Sequence, residues 1–136
     1  QIMPVGLFKR DKPVDKTTVI SPFAANETLL MMERVVAKGG TAPKAQIPGY
    51  RVAGKTGTTH KTKSGGYEQN EYLSQFAGIV PVSDPDMVMV VRVNEPSRGI
   101  YYGGSVAAPV FQQVMQQALR LRNVPHDMPL DIAESM

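Results

Sequence analysis

Apolar and polar residues recur along this chain with two different periods, and each change of period marks an element. From Ser21 to Gly40 (SPFAANETLLMMERVVAKGG) the apolar positions fall at helical spacing. Phe23, Leu29, Leu30, Met32, Val35 and Val36 predict one buried stripe. Ser21 is of N-cap type, Pro22 suits the first helical position, and Gly39-Gly40 stop the helix. The segment 41–50 (TAPKAQIPGY) has no period and many turn formers, so it reads as a link. Strand-like runs follow at 50–58, 72–80 and 87–94, the last (MVMVVRVN) set between Pro85 and Pro96. A polar loop over 59–70 joins the first two, and the turn SDPD joins the second to the third. After the glycine-rich turn SRGIYYGGS, Ser105 is placed to cap a second helix with Pro109 in its first turn. Val110, Phe111, Val114, Met115 and Ala118 are expected on its buried side.

Consecutive strands joined by hairpin-length connections predict an antiparallel sheet covered by helices, an α+β fold. The chain divides into an extended connector (1–20), an ordered body (21–122) and a loosely ordered tail (123–136) carrying two prolines. At 136 residues it is long enough for one domain with a core and too short for two ordinary ones.

Charge and composition narrow the function by exclusion. The net charge is +3, but the basic residues are scattered and no aromatics interleave with them, so no nucleic-acid partner is expected. The absence of cysteine rules out a disulfide framework and a thiolate metal site. No apolar run approaches the ~18 residues of a membrane span, and the chain opens at Gln1 without targeting character. Any anchor or export signal is expected upstream. His60 and His126 have no partner at metal-binding or triad spacing and read as surface residues, and Glu27, Glu33 and Glu95 read as isolated carboxylates. No metal and no cofactor is expected.

The stretch IPGYRVAGKTGTTHKT, residues 47–62, carries the candidate chemistry and admits two readings. From Gly49 to Thr56 it spells G-x-x-x-x-G-K-T, the pattern that cradles phosphates. From Lys55 to Thr58 it spells K-T-G-T, and K-T-G with S-x-x-K and S-D-N marks β-lactamases and penicillin-binding proteins. The first requires a strand before Gly49 and a helix after Lys55. Neither KGGTAPKAQIP nor TGTTHKTKSGG meets that demand, so a nucleotide-binding module is the remote alternative. The second requires a strand through Lys55, and RVAGKTGT can alternate across one, with Arg51, Ala53, Lys55 and Gly57 on one side. Glycines at 54 and 57 then have a reason, since a ligand backbone must approach this strand closely.

The surroundings extend the motif. MMERVVAKGGTAPKAQIPGYRVAGKTGTTHK, then YLSQFAGIVPVSDPDMVMVVRVNEP, then YYGGSVAAPVFQQVM resemble the end of the transpeptidase domain of class B penicillin-binding proteins. The likeness runs in order over residues 20–122 and is greatest to the septal peptidoglycan D,D-transpeptidases of the penicillin-binding protein 3 type. It implies the C-terminal part of a serine transpeptidase or β-lactamase-like domain. In that family a serine attacks the D-alanyl-D-alanine of a stem peptide, and the acyl-enzyme then passes to an amine of a neighbouring strand. β-Lactam antibiotics stall the reaction at the acyl stage.

By this resemblance Lys55 supplies charge near the substrate carboxylate and the proton-transfer network. Thr56 and Thr58 hydroxyls hydrogen-bond that carboxylate, Gly57 leaves room for it, and the Thr58 backbone N–H is an oxyanion donor. Tyr101 and Tyr102 add aromatic surface at the cleft. The expected partners are peptidoglycan stem peptides, β-lactams, the upstream part of the same enzyme and divisome membrane proteins. The expected location is the periplasmic face of the bacterial inner membrane, through an N-terminal anchor outside this chain. The pattern is broken in one respect. None of Ser21, Ser64, Ser74, Ser83, Ser97, Ser105 and Ser135 has lysine three places on or asparagine two places on. The nucleophile and the middle motif are therefore expected upstream, and a penicillin-recognition or scaffold domain without catalysis is the alternative.

Overall fold

The structure, a computed structural model, describes residues 17–63, 66–97 and 99–129. Most of the 1–20 connector and residues 130–136 of the tail lie outside that range. In chain order the elements are helix α1 (Pro22–Val36), a 3-10 turn (Pro43–Ala45), strands β1 (Ala53–Lys63), β2 (Gly66–Val80) and β3 (Met87–Asn94), and helices α2 (Gly103–Val106) and α3 (Ala108–Leu121). The three strands form one antiparallel sheet in the order β1-β2-β3, as the sequence predicts.

The ends of α1 obey the local rules. Ser21 Oγ accepts from Ala24 N–H at 3.1 Å, and Pro22 opens the helix. Its expected apolar stripe is only partly buried. Val36 is enclosed, whereas Phe23 is 75% exposed and Leu30, further along the helix, is also exposed.

The core lies on one face of the sheet. Phe76 of β2 and Phe111 of α3 meet edge to face at 5.0 Å, both fully buried. Such a pair contributes ~0.5–1.5 kcal/mol beyond the area it buries. Two glycines make room for it. A Cβ on Gly54 would lie 2.3 Å from the Phe76 ring, and one on Gly78 would lie 2.5 Å from the Phe111 ring. The ligand-approach reason expected for Gly54 is thus replaced by an internal one.

The buried seam of α3 is Ala108, Phe111, Met115 and Leu119, while Val110 and Val114 face solvent. The sequence offers two adjacent apolar stripes, and only the position of Phe76 decides between them. Ser105 is no cap: it lies inside the short helix α2, and α3 begins at Ala108 without a side-chain cap bond.

Three further expectations are corrected. The polar loop over 59–70 is mostly strand, with β1 running to Lys63 and β2 starting at Gly66 around a register shift between His60 and Thr62. The 41–50 link supplies core residues, Ala42, Ala45, Ile47 and Tyr50. The tail is held as far as Met128. Tyr50 Oη donates to Val124 O at 2.7 Å, Met128 N–H donates to Gly49 O at 3.2 Å, and Asp127 accepts from Arg51 N–H at 2.7 Å and Ser83 Oγ at 2.8 Å.

Candidate active site

β1 is an edge strand of the three-stranded sheet, with β2 on one side only. The segment Lys55–Thr58 sits near its middle and pairs with Ala77, Phe76, Gln75 and Ser74 in turn. The strand runs straight through Lys55, which removes the helix a phosphate-binding loop needs there. Gly49, the first glycine of that competing pattern, closes a turn at φ +81°.

Alternation places Lys55 and Gly57 on one face of β1 and Thr56 and Thr58 on the other, with Phe76 and Ser74. The exposed Lys55 ammonium folds back along the strand, and Nζ donates to Thr56 O at 2.7 Å. Thr56 Oγ1 is 3.1 Å from Thr41 Oγ1, and Thr58 Oγ1 accepts from Gly103 N–H at 3.3 Å. Two hydroxyls and an ammonium therefore border an open strand edge, an arrangement suited to an anionic group. Gly57 differs from Gly54. A Cβ there would meet only Gln75, at an ordinary 3.6 Å, so nothing in the described residues requires a glycine.

Tyr101 and Tyr102 precede α2 and come close to this edge. Buried Ser74 donates its hydroxyl to Tyr101 O, and Tyr101 stacks on Tyr72 at 3.8 Å and 6°. Tyr72 in turn contacts His60 at 4.4 Å, and Tyr102, 61% exposed, leans on Tyr101 at 4.7 Å. A hydrogen bond with the Tyr101 phenol holds the Tyr102 phenol above its ordinary pKa. His60, expected as a lone surface residue, belongs to this aromatic row together with Tyr72, which the sequence alone does not single out. The signal for both lies in register, because His60 and Tyr72 are cross-strand partners.

Other expected loners are paired. Glu33 accepts two bonds from the Arg51 guanidinium at 2.8 and 2.7 Å, which raise the Arg51 pKa. Glu95 pairs with Lys61, and His126 stands edge-on to Tyr50 at 4.7 Å. Among the described residues no three His, Cys, Asp or Glu side chains gather as a metal site, and no helix is long and apolar enough to cross a membrane. A groove of about 1110 Å³ opens between α1, the 43–52 link and the start of α3. None of Lys55, Thr56, Gly57 and Thr58 lines it.

Comparison with known proteins agrees with this fold. The family model of the penicillin binding protein transpeptidase domain matches residues 1–116. The peptidoglycan D,D-transpeptidase FtsI of Escherichia coli (strain K12) is 41% identical over 124 residues, 91% of this chain and 21% of that protein. The protein of the same name from Buchnera aphidicola subsp. Baizongia pistaciae is 44% identical over 97 residues, 71% of this chain and 17% of that protein. Among solved structures, the apo transpeptidase domain of Burkholderia pseudomallei penicillin-binding protein 3 superimposes with a TM-score of 0.83 at 43% identity. That match covers 93% of this chain and 39% of the solved one. The chain spans about a fifth of the length of these curated relatives.

Proposed function

This chain belongs to the family of penicillin-binding protein transpeptidase domains, and we propose from that premise that β1 is the substrate-binding wall of a peptidoglycan D,D-transpeptidase. The observation that carries the reading is the open edge at Lys55–Thr58 with a glycine at 57 that internal packing does not demand. An extended stem peptide, or the β-lactam that mimics it, lies along this edge and occupies the space a side chain at 57 would take. Its carboxylate is held by the Lys55 ammonium and the Thr56 and Thr58 hydroxyls through charge-assisted hydrogen bonds. Tyr101 and Tyr102 flank the bound group with aromatic surface.

The bond-making steps use a serine outside residues 1–136. Its hydroxyl adds to the penultimate D-alanine carbonyl, the terminal D-alanine leaves with the proton, and an amine from a second stem peptide displaces the serine. As the carbonyl oxygen becomes an oxyanion, the Thr58 N–H is one of its donors, a contribution of roughly 3 kcal/mol in comparable acyl transfers. Lys55 keeps the local field positive and takes part in the proton network. The septal role that the resemblance implies is the ground for taking divisome membrane proteins as partners and the periplasmic face of the inner membrane as the place of work.

The test is acylation by a fluorescent penicillin in the polypeptide that carries both this chain and the acylated serine. Lys55→Ala and Thr56→Val are each expected to slow labelling about 10- to 150-fold, the rate cost of one lost charge-assisted hydrogen bond. Thr59→Ala, just past the motif, leaves the rate nearly unchanged. An unaltered rate in Lys55→Ala would refute the assignment.

A further inference from the structure

The hydroxyl of Thr41 reaches Thr56 from the segment that follows α1, outside the K-T-G strand. The backbone around Thr41 is fixed at several points. After α1 ends, Gly39 turns the chain at φ +85°, and Gly40 N–H donates to Ala37 O at 2.9 Å. A Cβ on Gly40 would lie 2.4 Å from the carbonyl oxygens of Arg34 and Val35, so only glycine lets the chain fold back this tightly on the helix end. Ala42 N–H then donates to Val35 O at 2.8 Å, and Ala42 is wholly buried. From the other side Gly104 approaches so closely that its Cβ would lie 1.8 Å from Thr41 O. Thr41 is thus clamped between the end of α1 and α2, and its side chain is delivered to Thr56 at 3.1 Å.

A threonine hydroxyl has one hydrogen to give. If Thr56 gives its hydrogen to Thr41, none is left for an anion at the open edge. If Thr41 donates, Thr56 Oγ1 is satisfied as an acceptor and its own hydrogen is free for the ligand. A bound carboxylate can only accept, so it selects the second arrangement, and each bond in such a chain strengthens the next.

We propose that Thr41 is a positioning residue for carboxylate recognition: its hydroxyl donates to Thr56 Oγ1 and commits the Thr56 hydrogen to the ligand. This rests on the reading of β1 as the substrate wall and adds to it a residue outside the K-T-G strand. Thr41 touches no reacting atom, and its effect passes through Thr56.

The test compares a penicillin bearing its free carboxylate with the methyl ester of the same penicillin, using the complete transpeptidase polypeptide. Thr41→Val, nearly isosteric, is expected to slow acylation by the free acid about 3- to 10-fold, the range of one neutral hydrogen bond, and to leave the slower ester reaction unchanged. Thr41→Ser restores the acid rate. In a Thr56→Val background Thr41→Val adds nothing, because the two act in series. The ester reaction also monitors folding, since a misfolded protein reacts with neither compound. Equal slowing of acid and ester, or full additivity with Thr56→Val, makes Thr41 a loop-packing residue and overturns the inference. A normal acid rate in Thr41→Val with a slowed Thr56→Val overturns it while sparing the reading of β1. Normal acid rates in both overturn the two together.

Discussion

Two adjoining stretches, Tyr50–Gly54 leading into β1 and Lys55–Thr58 within it, answer to different partners. Tyr50–Gly54 is enclosed, with Tyr50, Val52 and Ala53 buried, Gly54 under the Phe76 ring and the 124–128 segment fastened across Tyr50 and Arg51. Lys55–Thr58 lies on the strand edge with Lys55 and Thr58 exposed, and its polar groups meet only other polar groups, Thr41 Oγ1, Thr56 O and Gly103 N–H. The letters do not distinguish the two regions, since each contains a glycine. Gly54 exists because of what lies inside the fold. No packing partner among the described residues demands a glycine at 57.

The sharpest way to break this contrast is to add a methyl group at each glycine. Gly54→Ala places a carbon 2.3 Å from a fully buried ring between two strands. Overpacking of this kind costs about 1–3 kcal/mol, and the absence of slack around Phe76 puts it at the upper end. Thermal unfolding of the complete polypeptide should fall accordingly, with penicillin labelling at low temperature preserved. Gly57→Ala should reverse the pattern, with stability within about 0.5 kcal/mol of the parent and labelling slowed about tenfold, the rate cost of 1.4 kcal/mol. A stable, normally labelled Gly57→Ala would show that the open edge admits no close-lying ligand.

The same contrast explains what the sequence made legible. Features set by local rules could be read: the Ser21 cap, Pro22, the stop after α1, three strands in order and the Lys55–Thr58 motif. Features set by tertiary partners could not. Ile47 and Tyr50 become core because α3 and the 124–128 segment arrive beside a stretch with no period of its own. Leu119 replaced Val114 in the seam of α3 because Phe111 had to meet Phe76. The hairpin arm was hidden by its polar composition, because the pairing that holds it is made by backbone groups, which leave no pattern in the side chains. At the candidate site, the sequence singles out residues of one strand and not the groups that fold against them. Thr41, Tyr72 and the Gly103 amide are brought near by folding alone.

A smaller effect tests the enclosure at its outer layer. Asp127 accepts from the Arg51 amide at 2.7 Å and from the Ser83 hydroxyl and amide at 2.8 and 3.2 Å. Asp127→Ala leaves the half-buried Arg51 N–H without this acceptor and releases the 124–128 segment, so a loss of about 1–2 kcal/mol is expected. Asp127→Asn keeps one acceptor oxygen and should lose less. Both should label with penicillin at the parent rate, because the clasp holds the enclosed end of β1 and not its open edge. A labelling defect matching the stability defect would show that the two regions are mechanically one.

The smallest expected effect is a slope. Burial, and secondarily the Asp127 carboxylate, raise the Tyr50 phenol above its ordinary pKa of 10.0. In the folded protein it therefore keeps its proton at a pH where the unfolded chain has released it. Above pH 10 the native state binds more protons than the unfolded state, so stability falls as pH rises through the folded value. Below pH 10 the contribution is fully present and constant. Tyr50→Phe removes this titration and should flatten the alkaline limb of a plot of unfolding temperature against pH. At neutral pH it costs about 1 kcal/mol for the lost bond to Val124 O. Tyr102 supplies the control from the open side. Its pKa is also raised, but by the neighbouring Tyr101 phenol and on an exposed ring, so Tyr102→Phe should leave the alkaline limb close to that of the parent. Equal slopes in the parent and Tyr50→Phe would place the alkaline loss on other groups and remove Tyr50 from the enclosed half of the contrast.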